Sequence, residues 1–215
     1  IRTHFHHNEQ FEKFLIKRGK TKELDVITEM PRIANIKFVY QLEQLGLGHA
    51  VLCAKEFVGT DDFALLLGDD VYVGDNGPVL KDLVDAYDKI GCSILGTLEV
   101  SDEEVSRYGI CDPVSDEGGQ IVKLKGVIEK PKLEDAPSNL AIGGRYILTN
   151  KIFDYLENQV SGAGGEIQLT DSILRLMDKE DVYSYHINAR RYDIGSKVGY
   201  LKATIEFALK RDDLK

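Results

Sequence analysis

Two aspartates stand directly after an apolar run that predicts a buried strand. The run is Phe63 to Leu67, and Gly68, Asp69 and Asp70 follow it. In an open α/β sheet, ligands bind beyond the carboxyl ends of the strands, so carboxylates at this place face the ligand crevice. Such hard oxygen ligands suit Mg²⁺ better than softer metals. The plainer alternative is that the two acids only start a turn, and the dipeptide alone favours neither interpretation.

A third aspartate could complete a metal site from a distant part of the chain. Asp193 lies in Arg191-Tyr192-Asp193-Ile194-Gly195-Ser196-Lys197, between a short β-rich stretch and the last helical pattern. Two carboxylates from separate segments can hold one ion between them. Nothing in the spacing proves that Asp69 and Asp193 meet, and alone Asp193 reads better as a helix cap.

The tripeptide Glu129-Lys130-Pro131 ends a predicted strand, because proline cannot continue the hydrogen-bond ladder. A glutamate can accept two sugar hydroxyls, and the neighbouring lysine can neutralise a phosphate as a point charge. The alternative is an ion pair on the surface at a strand end, and without further context that alternative is preferred.

Gln41 precedes a glycine-rich stretch, Leu45-Gly46-Leu47-Gly48-His49. A glutamine side chain offers both a donor and an acceptor, as a nucleobase edge does. Glycine lets the backbone itself approach a base closely. The alternative for these glycines is a flexible turn between a strand and a helix.

The elements that would position these residues alternate between strands and helices in the first half. The predicted strands span residues 36–40, 63–67 and 92–100, and helices begin near Asn8, His49 and Pro78. The run 63–67 is apolar throughout, as a strand covered on both faces should be. This rhythm predicts an α/β fold with a doubly wound, mostly parallel, Rossmann-like sheet.

The second half of the chain changes character. Strands are predicted at 109–114, 121–128, 140–148 and 182–187, with a helix at 169–177 and a final amphipathic helix striped by Val198, Leu201, Ile205 and Ala208. We interpret residues 1–215 as a single domain, in which about 108–148 form a smaller, β-rich insertion on the sugar side. No composition shift is strong enough to mark a linker.

Composition excludes several function classes. The 215 residues carry a net charge of −9, which disfavours a nucleic-acid partner bound through a basic face. No apolar run approaches the ~20 residues of a membrane span, and no signal-peptide pattern is visible, so the expected location is the cytoplasm. Three cysteines without a CxxC pair give little support to zinc or redox chemistry.

Taken together and in order, these motifs resemble the bacterial UTP–glucose-1-phosphate uridylyltransferase family over nearly the whole chain. The most specific stretches are Leu45-Gly46-Leu47-Gly48-His49-Ala50-Val51, Glu129-Lys130-Pro131, Gly165-Glu166-Ile167-Gln168-Leu169-Thr170-Asp171 and Tyr192-Asp193-Ile194-Gly195-Ser196-Lys197-Val198-Gly199-Tyr200. Relatives that use dTTP share the glycine loop, the strand-end aspartate and Glu-Lys-Pro more loosely. The first and last stretches favour the UTP branch.

The resemblance implies roles on the nucleotide side of a site. Gln41 and the backbone of Gly46 would read the uracil of UTP. Asp69 and Asp193 would hold Mg²⁺, and Asp69 would also lie beside the nucleotide as one of two catalytic groups. Lys197 would lie near the phosphates.

It also implies a sugar side. Gly109 would lie against the hexose, and Glu129 would accept its hydroxyls. Lys130, the second catalytic group, would meet the sugar phosphate. The backbone of Ile142 would contribute further contacts to the hexose.

The implied reaction joins glucose 1-phosphate to UTP and gives UDP-glucose and pyrophosphate, through in-line attack on the α-phosphorus. The family commonly assembles as dimers or tetramers, so a homo-oligomer is expected. Two alternatives stay open, namely a non-catalytic or incomplete chain that binds UDP-glucose, and a nucleotidyltransferase for another pair such as dTTP or a different hexose. The family also opens with a strand and a glycine-rich loop that wrap the triphosphate, and the sequence begins beyond that point, so we expect it to be incomplete.

Overall fold

The computed structural model describes residues 5, 7–74, 77–115, 119–160, 162 and 165–214. The chain divides into two compact units, Ile1–Leu42 and Glu43–Lys215. The expected single domain stays a prediction. None of the described helices is both long enough and apolar enough to cross a membrane.

The N-terminal unit contains helices α1 (Glu9–Lys17) and α2 (Thr21–Ile33). Asn8 caps α1 as predicted, because its side-chain oxygen accepts a hydrogen bond from the backbone N–H of Phe11 at 3.1 Å. The strand predicted at residues 36–40 is wrong, since the structure has no strand there. A β-rich run forms a strand only when another strand pairs with it, and none of the described strands does so.

The second unit holds eight strands among its described residues. They are β1 (Phe63–Leu66), β2 (Asp70–Val73), β3 (Ile94–Glu99), β4 (Gly109–Pro113), β5 (Ile121–Glu129), β6 (Leu140–Leu148), β7 (Tyr183–His186) and β8 (Arg190–Asp193). The helices of this unit are α3 (Leu47–Leu52), α4 (Lys55–Val58), α5 (Val79–Ile90), α6 (Ile152–Glu157), α7 (Leu169–Leu176) and α8 (Lys197–Leu209). Except for 36–40, each predicted strand named above has a counterpart within a few residues.

The central sheet confirms the α/β class, but its strand directions differ from the expected ones. Six strands lie in the order β1-β6-β3-β7-β5-β4, and β2 pairs with β8 in a separate two-stranded ribbon. Only the β3–β7 pair is parallel among the described strands, and the other pairings are antiparallel. The sheet is therefore mixed rather than mostly parallel.

Strand β6 explains most of this difference. Its sequence was assigned to the sugar-side insertion, yet it lies in the central sheet between β1 and β3, antiparallel to both. It also touches β4 through Ile110 and Ala141, which closes β6, β3, β7, β5 and β4 into a ring. Hydrophobic periodicity finds such a strand but cannot tell which neighbours it pairs with.

Helices pack on both faces of the sheet because successive strand residues point in opposite directions. On β3, Leu95 packs with α6 and α7 in the larger core, whereas Ile94 packs against α5. On β6, Tyr146 and Leu148 face the first core and Ile147 faces the second. This two-sided packing confirms the doubly wound arrangement expected from the sequence.

Two predictions about burial are wrong. Strand β1 is not covered on both faces, because it lies at the sheet edge and Leu66 is 46% exposed. The final helix, α8, does not present one apolar stripe to the core. Its one buried residue among those described is Ala203, while Val198, Leu201 and Ile205 are exposed.

Candidate functional site

The ribbon of β2 and β8 brings two of the predicted metal ligands together. Its register pairs Asp70 with Asp193, so Asp69 lies beside the end of β8. The backbone N–H of Ile194 donates to the carbonyl of Asp69 at 2.8 Å and extends the ladder by one bond. A Cβ atom added to Gly195 would lie 2.9 Å from Asp69 Oδ2 and 3.2 Å from Asp193 Oδ1. The two carboxylates therefore converge on one point, beside a residue that has no side chain.

The hydrogen bonds around Asp193 show whether this residue caps the final helix. Its Oδ1 accepts hydrogen bonds from the backbone of Gly195 at 3.1 Å and of Ser196 at 3.3 Å. Its Oδ2 accepts from Arg107 Nη2 at 3.4 Å. The cap of α8 is Ser196, whose hydroxyl accepts from the N–H of Gly199 at 3.1 Å. The capping alternative for Asp193 is therefore wrong, and the aspartate instead fixes the turn before the helix.

Asp70, although adjacent to Asp69, is buried in an ion pair. Its side chain is 7% exposed and forms an ion pair with Arg191, whose side chain is 14% exposed. Arg191 also donates to the Tyr108 hydroxyl at 3.1 Å and lies over that ring. Burial raises the pKa of Asp70, and the hydrogen bond from Arg191 opposes this shift. The pair ties β2 to β8 beside the two converging carboxylates.

The predicted sugar-side residues also lie together. The β4–β5 register places Gly109 opposite Glu129. Glu129 is nearly buried, and its Oε2 accepts a hydrogen bond from Thr170 Oγ1 at 2.6 Å, while Lys130 Nζ lies 3.4 Å from Oε1. A Cβ atom on Gly109 would lie 3.0 Å from Ile142 Cδ1 and 3.2 Å from Glu129 Oε2. Only a glycine leaves this carboxylate its present space.

Lys130 stands in a strained backbone conformation. Its φ angle is +45°, and among the described residues it is the one non-glycine with a positive φ. Its N–H donates to the carbonyl of Tyr108 at 2.9 Å, which holds the strained residue beside β4. A side chain in the left-handed region costs about 1–3 kcal/mol and persists only when the surroundings enforce it. The lysine side chain is half-exposed, so a ligand can reach the ammonium group although it is paired with Glu129.

A cleft of about 330 Å³ joins the two groups. Six of the nine predicted site residues line it, namely Asp69, Gly109, Glu129, Lys130, Ile142 and Asp193. Lys197 instead lies at a separate shallow hollow with Gly195 and Ser196. Gln41 belongs to the N-terminal unit. Its role, like those of the other eight, stays a prediction.

Gly46 does not line this cleft, although its neighbour Leu47 does. Its φ angle is +101°, and an added Cβ would lie 2.8 Å from Glu166 Cβ and 2.9 Å from the carbonyl of Ile167. The N–H of Gly48 donates to that same carbonyl at 2.8 Å. Gly46 and Gly48 therefore let the turn before α3 pack closely against the backbone near Ile167. A structural role in a turn was the alternative to base recognition that the sequence left open.

Sequence reasoning missed the arginines of the cleft. Arg107 and Arg191 both line it, beside Lys130, and the described cations therefore outline a region suited to an anionic ligand. Their positions gave a signal, since Arg107 lies two residues before Gly109 and Arg191 two residues before Asp193. Thr170 was quoted only as part of a motif, yet its hydroxyl orients Glu129.

The carboxylate pair fits a hard divalent cation in one particular way. Among the described residues, no group of three or more His, Cys, Asp or Glu side chains could hold a metal by itself. Mg²⁺ is commonly bound by one or two carboxylates, with its remaining positions filled by water and substrate phosphates. Asp69 and Asp193 supply that minimal set, in a cleft that also carries cations for the phosphates.

Comparison with known proteins gives consistent results. The nucleotidyl transferase family matches residues 2–209. The UTP–glucose-1-phosphate uridylyltransferase of Staphylococcus epidermidis is 47% identical over 214 residues, which cover 100% of this chain and 74% of that relative.

Two solved structures share the fold. A UDP-glucose pyrophosphorylase complexed with UDP-glucose is 37% identical with a TM-score of 0.84, and the match covers 90% of this chain and 74% of the other. The UTP-bound UGPase of Acinetobacter baumannii is 37% identical with a TM-score of 0.85, covering 100% and 74% respectively.

Proposed function

This chain belongs to the UTP–glucose-1-phosphate uridylyltransferase family of nucleotidyl transferases, and we propose on that premise that it makes UDP-glucose and pyrophosphate from UTP and glucose 1-phosphate. The observation that carries the proposal is the cleft itself. It places two converging carboxylates, Asp69 and Asp193, in one cavity with a glutamate and a strained lysine, Glu129 and Lys130. The two aspartates suit a metal-bound phosphate chain, whereas Glu129 and Lys130 suit a sugar phosphate.

In this proposal Asp69 and Asp193 hold Mg²⁺. The bound cation would neutralise the charge that gathers on the phosphate oxygens during transfer. The backbone N–H groups of Gly195 and Ser196 orient Asp193, so that its carboxylate is aimed before any ligand arrives. Arg107 balances its charge from the other side at 3.4 Å.

On the sugar side, Glu129 accepts hydrogen bonds from hydroxyl groups of the hexose, and its carboxylate is oriented by Lys130 at Oε1 and by Thr170 at Oε2. Lys130 provides the charge that meets the sugar phosphate. Gly109 and Ile142 bring backbone and a short apolar surface against the ring. Each of these groups positions the substrate, and positioning alone can contribute several kcal/mol to lowering the barrier.

The nucleotide side rests on the resemblance. Gln41 and the backbone of Gly46 read the uracil, and Lys197 approaches the phosphates. The expected cytoplasmic location and the expected dimer or tetramer also stay predictions.

The reaction needs no covalent intermediate on the protein. An oxygen of the sugar phosphate attacks the α-phosphorus of UTP, while the bond from that phosphorus to the bridging oxygen of the β-phosphate breaks. That oxygen leaves with its electron pair as part of pyrophosphate. Since the attacking phosphate is already ionised near neutral pH, no general base is required, and catalysis consists of positioning and charge neutralisation.

The test is release of pyrophosphate from UTP and glucose 1-phosphate by the purified protein with Mg²⁺. Asp69→Asn should lower kcat by on the order of 10²-fold or more, because one of two protein ligands is lost. It should also weaken Mn²⁺ binding, measured by electron paramagnetic resonance. The matched control is Asp61→Asn, which changes an exposed carboxylate outside the cleft and should alter neither quantity.

Other outcomes would decide for the alternatives. Tight UDP-glucose binding without pyrophosphate release would identify a non-catalytic binding protein. Faster turnover with dTTP or with another hexose 1-phosphate would assign a different substrate pair. Normal activity and Mn²⁺ binding in Asp69→Asn would overturn the metal assignment.

A further inference from the structure

The ring of strands β6, β3, β7, β5 and β4 has an interior that is apolar at one end and polar at the other. Leu95, Leu124 and Ile142 point inward and belong to the larger core. Further along the same face of β3 come Thr97 and Glu99, two residues apart. Of these two polar residues, Thr97 is buried, which carries a cost, whereas Glu99 at the end of the strand is exposed.

Strand β7 continues this polar surface beside β3. Because the two strands are parallel, Leu95 lies beside Ser184 and Thr97 lies beside His186. Thr97 is 1% exposed and Ser184 is 2% exposed, so both hydroxyls are part of the interior. Each donates to a backbone carbonyl at 3.2 Å, and a hydroxyl oxygen that donates one hydrogen bond can still accept another.

These residues line a cavity of about 790 Å³ at one mouth of the ring. Three apolar residues also line it, namely Pro113, Val122 and Leu140, one from each of β4, β5 and β6, beside the polar residues Ser115, Gln120, Ser138 and Asn139. The volume lies in the range of small-molecule sites, and mouths of closed sheets are common places for them. The mouth thus offers many hydrogen-bonding groups together with a few apolar contacts.

The mouth is distinct from the cleft described above, although the same strands build both. On β6, Leu140 lines the mouth and Ile142 the cleft, and on β4 the corresponding residues are Pro113 and Gly109. The two cavities share no lining residue among those described. They therefore lie toward opposite ends of the ring, with the inward-facing core between them.

The charges of the mouth exclude phosphorylated ligands. No lysine or arginine occurs among the described residues that line it, whereas Glu99 contributes a carboxylate. The remaining polar groups are hydroxyls, amides and the imidazole of His186. Such a set exchanges hydrogen bonds with neutral hydroxyl groups and repels anions.

We propose that this mouth is a second ligand site, which binds a neutral polyhydroxylated ring such as a free hexose or an inositol. The hydroxyl edge of the ring meets Thr97, Glu99, Ser184 and His186, and its C–H face packs on Pro113, Val122 and Leu140. A ring with hydroxyl groups at its edge and C–H groups on one face matches this mixture of polar and apolar side chains. The site does not depend on the proposed transfer reaction.

Calorimetric titration of the purified protein with glucose, galactose and myo-inositol tests this. Each titration is run on the Glu129→Gln variant, and repeated on the unaltered protein with excess UDP-glucose, so that hexose binding in the cleft is suppressed. Binding of at least one of the three ligands is expected under both conditions. His186→Ala and the near-isosteric Thr97→Val should each weaken it about tenfold or more, which is about 1.4 kcal/mol.

Circular dichroism and the thermal midpoint show whether each variant is folded, and His186, being exposed, provides the variant least prone to misfold. Absence of binding by all three ligands overturns the proposal. Binding that both variants leave unchanged also overturns it, because the ligand then lies elsewhere. Failure of the transfer assay would leave these results untouched, since the Glu129→Gln titration requires no turnover and no UDP-glucose.

Discussion

The buried ion pair between Asp70 and Arg191 makes the sharpest prediction about stability. Replacing Arg191 with methionine keeps much of the side-chain volume but removes both hydrogen bonds, one to Asp70 and one to Tyr108. The Asp70 carboxylate, 7% exposed, then stays buried without its counter-charge. Loss of one partner from a buried pair costs about 3–5 kcal/mol. Protonation of Asp70 limits the cost, because burial already raises its pKa, so we expect the lower end of that range.

A matched control lies one residue earlier on the same strand. Arg190 forms an ion pair with Glu206, but its side chain is 62% exposed. Exposed pairs contribute about 0–1 kcal/mol, so Arg190→Met should stay within that limit. Urea unfolding followed by circular dichroism gives both free energies.

The double variant Asp70→Asn/Arg191→Met adds a second comparison. Because it removes the uncompensated charge along with the arginine, it should recover part of the stability lost in Arg191→Met alone. If Arg191→Met and Arg190→Met destabilise the protein equally, the pair does not tie β2 to β8 as described, and the reasoning fails.

Three further predictions concern single positions. Gly109→Ala should weaken glucose 1-phosphate binding tenfold or more and cost about 1–3 kcal/mol of stability, because the new Cβ would lie 3.0 Å from Thr170 Oγ1. In the control variant Gly126→Ala the nearest contact of the new Cβ is 3.7 Å, so titrations with the substrate should be unchanged. Gly144→Ala should destabilise more than Gly109→Ala in urea unfolding, since φ is +69° and the new carbon would overlap a buried carboxylate; equal losses would contradict this. Burial raises the pKa of Asp171, and a neighbouring carboxylate adds to the shift. The folded protein therefore binds the Asp171 proton more tightly than the unfolded chain does. Its stability falls as pH rises above 3.8, the ordinary pKa of the group. Relative to the unaltered protein, Asp171→Asn should therefore gain stability as pH rises above 3.8, and a stability difference that does not change with pH would refute the sign.

Local sequence signals located most elements of the fold. Asn8 predicted the start of α1, and Pro78 predicted the start of α5. The strand patterns at 109–114 and 121–128 form the β4–β5 pair. These features depend on a few neighbouring residues, which is why the sequence alone reveals them.

Pairing partners were harder to predict, because they depend on residues far apart in the chain. The periodicity of 140–148 shows a strand but does not place it between β1 and β3. The exposure of Leu66 follows from an edge position that no local pattern records.

In the candidate site, too, local signals were found from the sequence and long-range pairings were not. Strand-end position singled out Asp69, Glu129 and Asp193, and all three line the cleft. The pairing of β2 with β8, which brings Asp70 within reach of Arg191, could not be seen until both strands were placed. Motif spacing singles out these three residues, whereas it misses the ion pair that lies beside them in the same cleft.

The ribbon of β2 and β8 also bears on how the protein reaches its native state. Asp69 and Asp193 are separated by more than half of the chain, so joining them requires closure of a very long loop. Contacts of such high sequence separation form slowly, after the local helices and hairpins. An unfolded chain cannot offer both carboxylates to one ion. A cation held by this pair would bind the native state alone and stabilise it in proportion to the logarithm of its concentration. The midpoint of thermal unfolding would then serve as a measure of cation affinity.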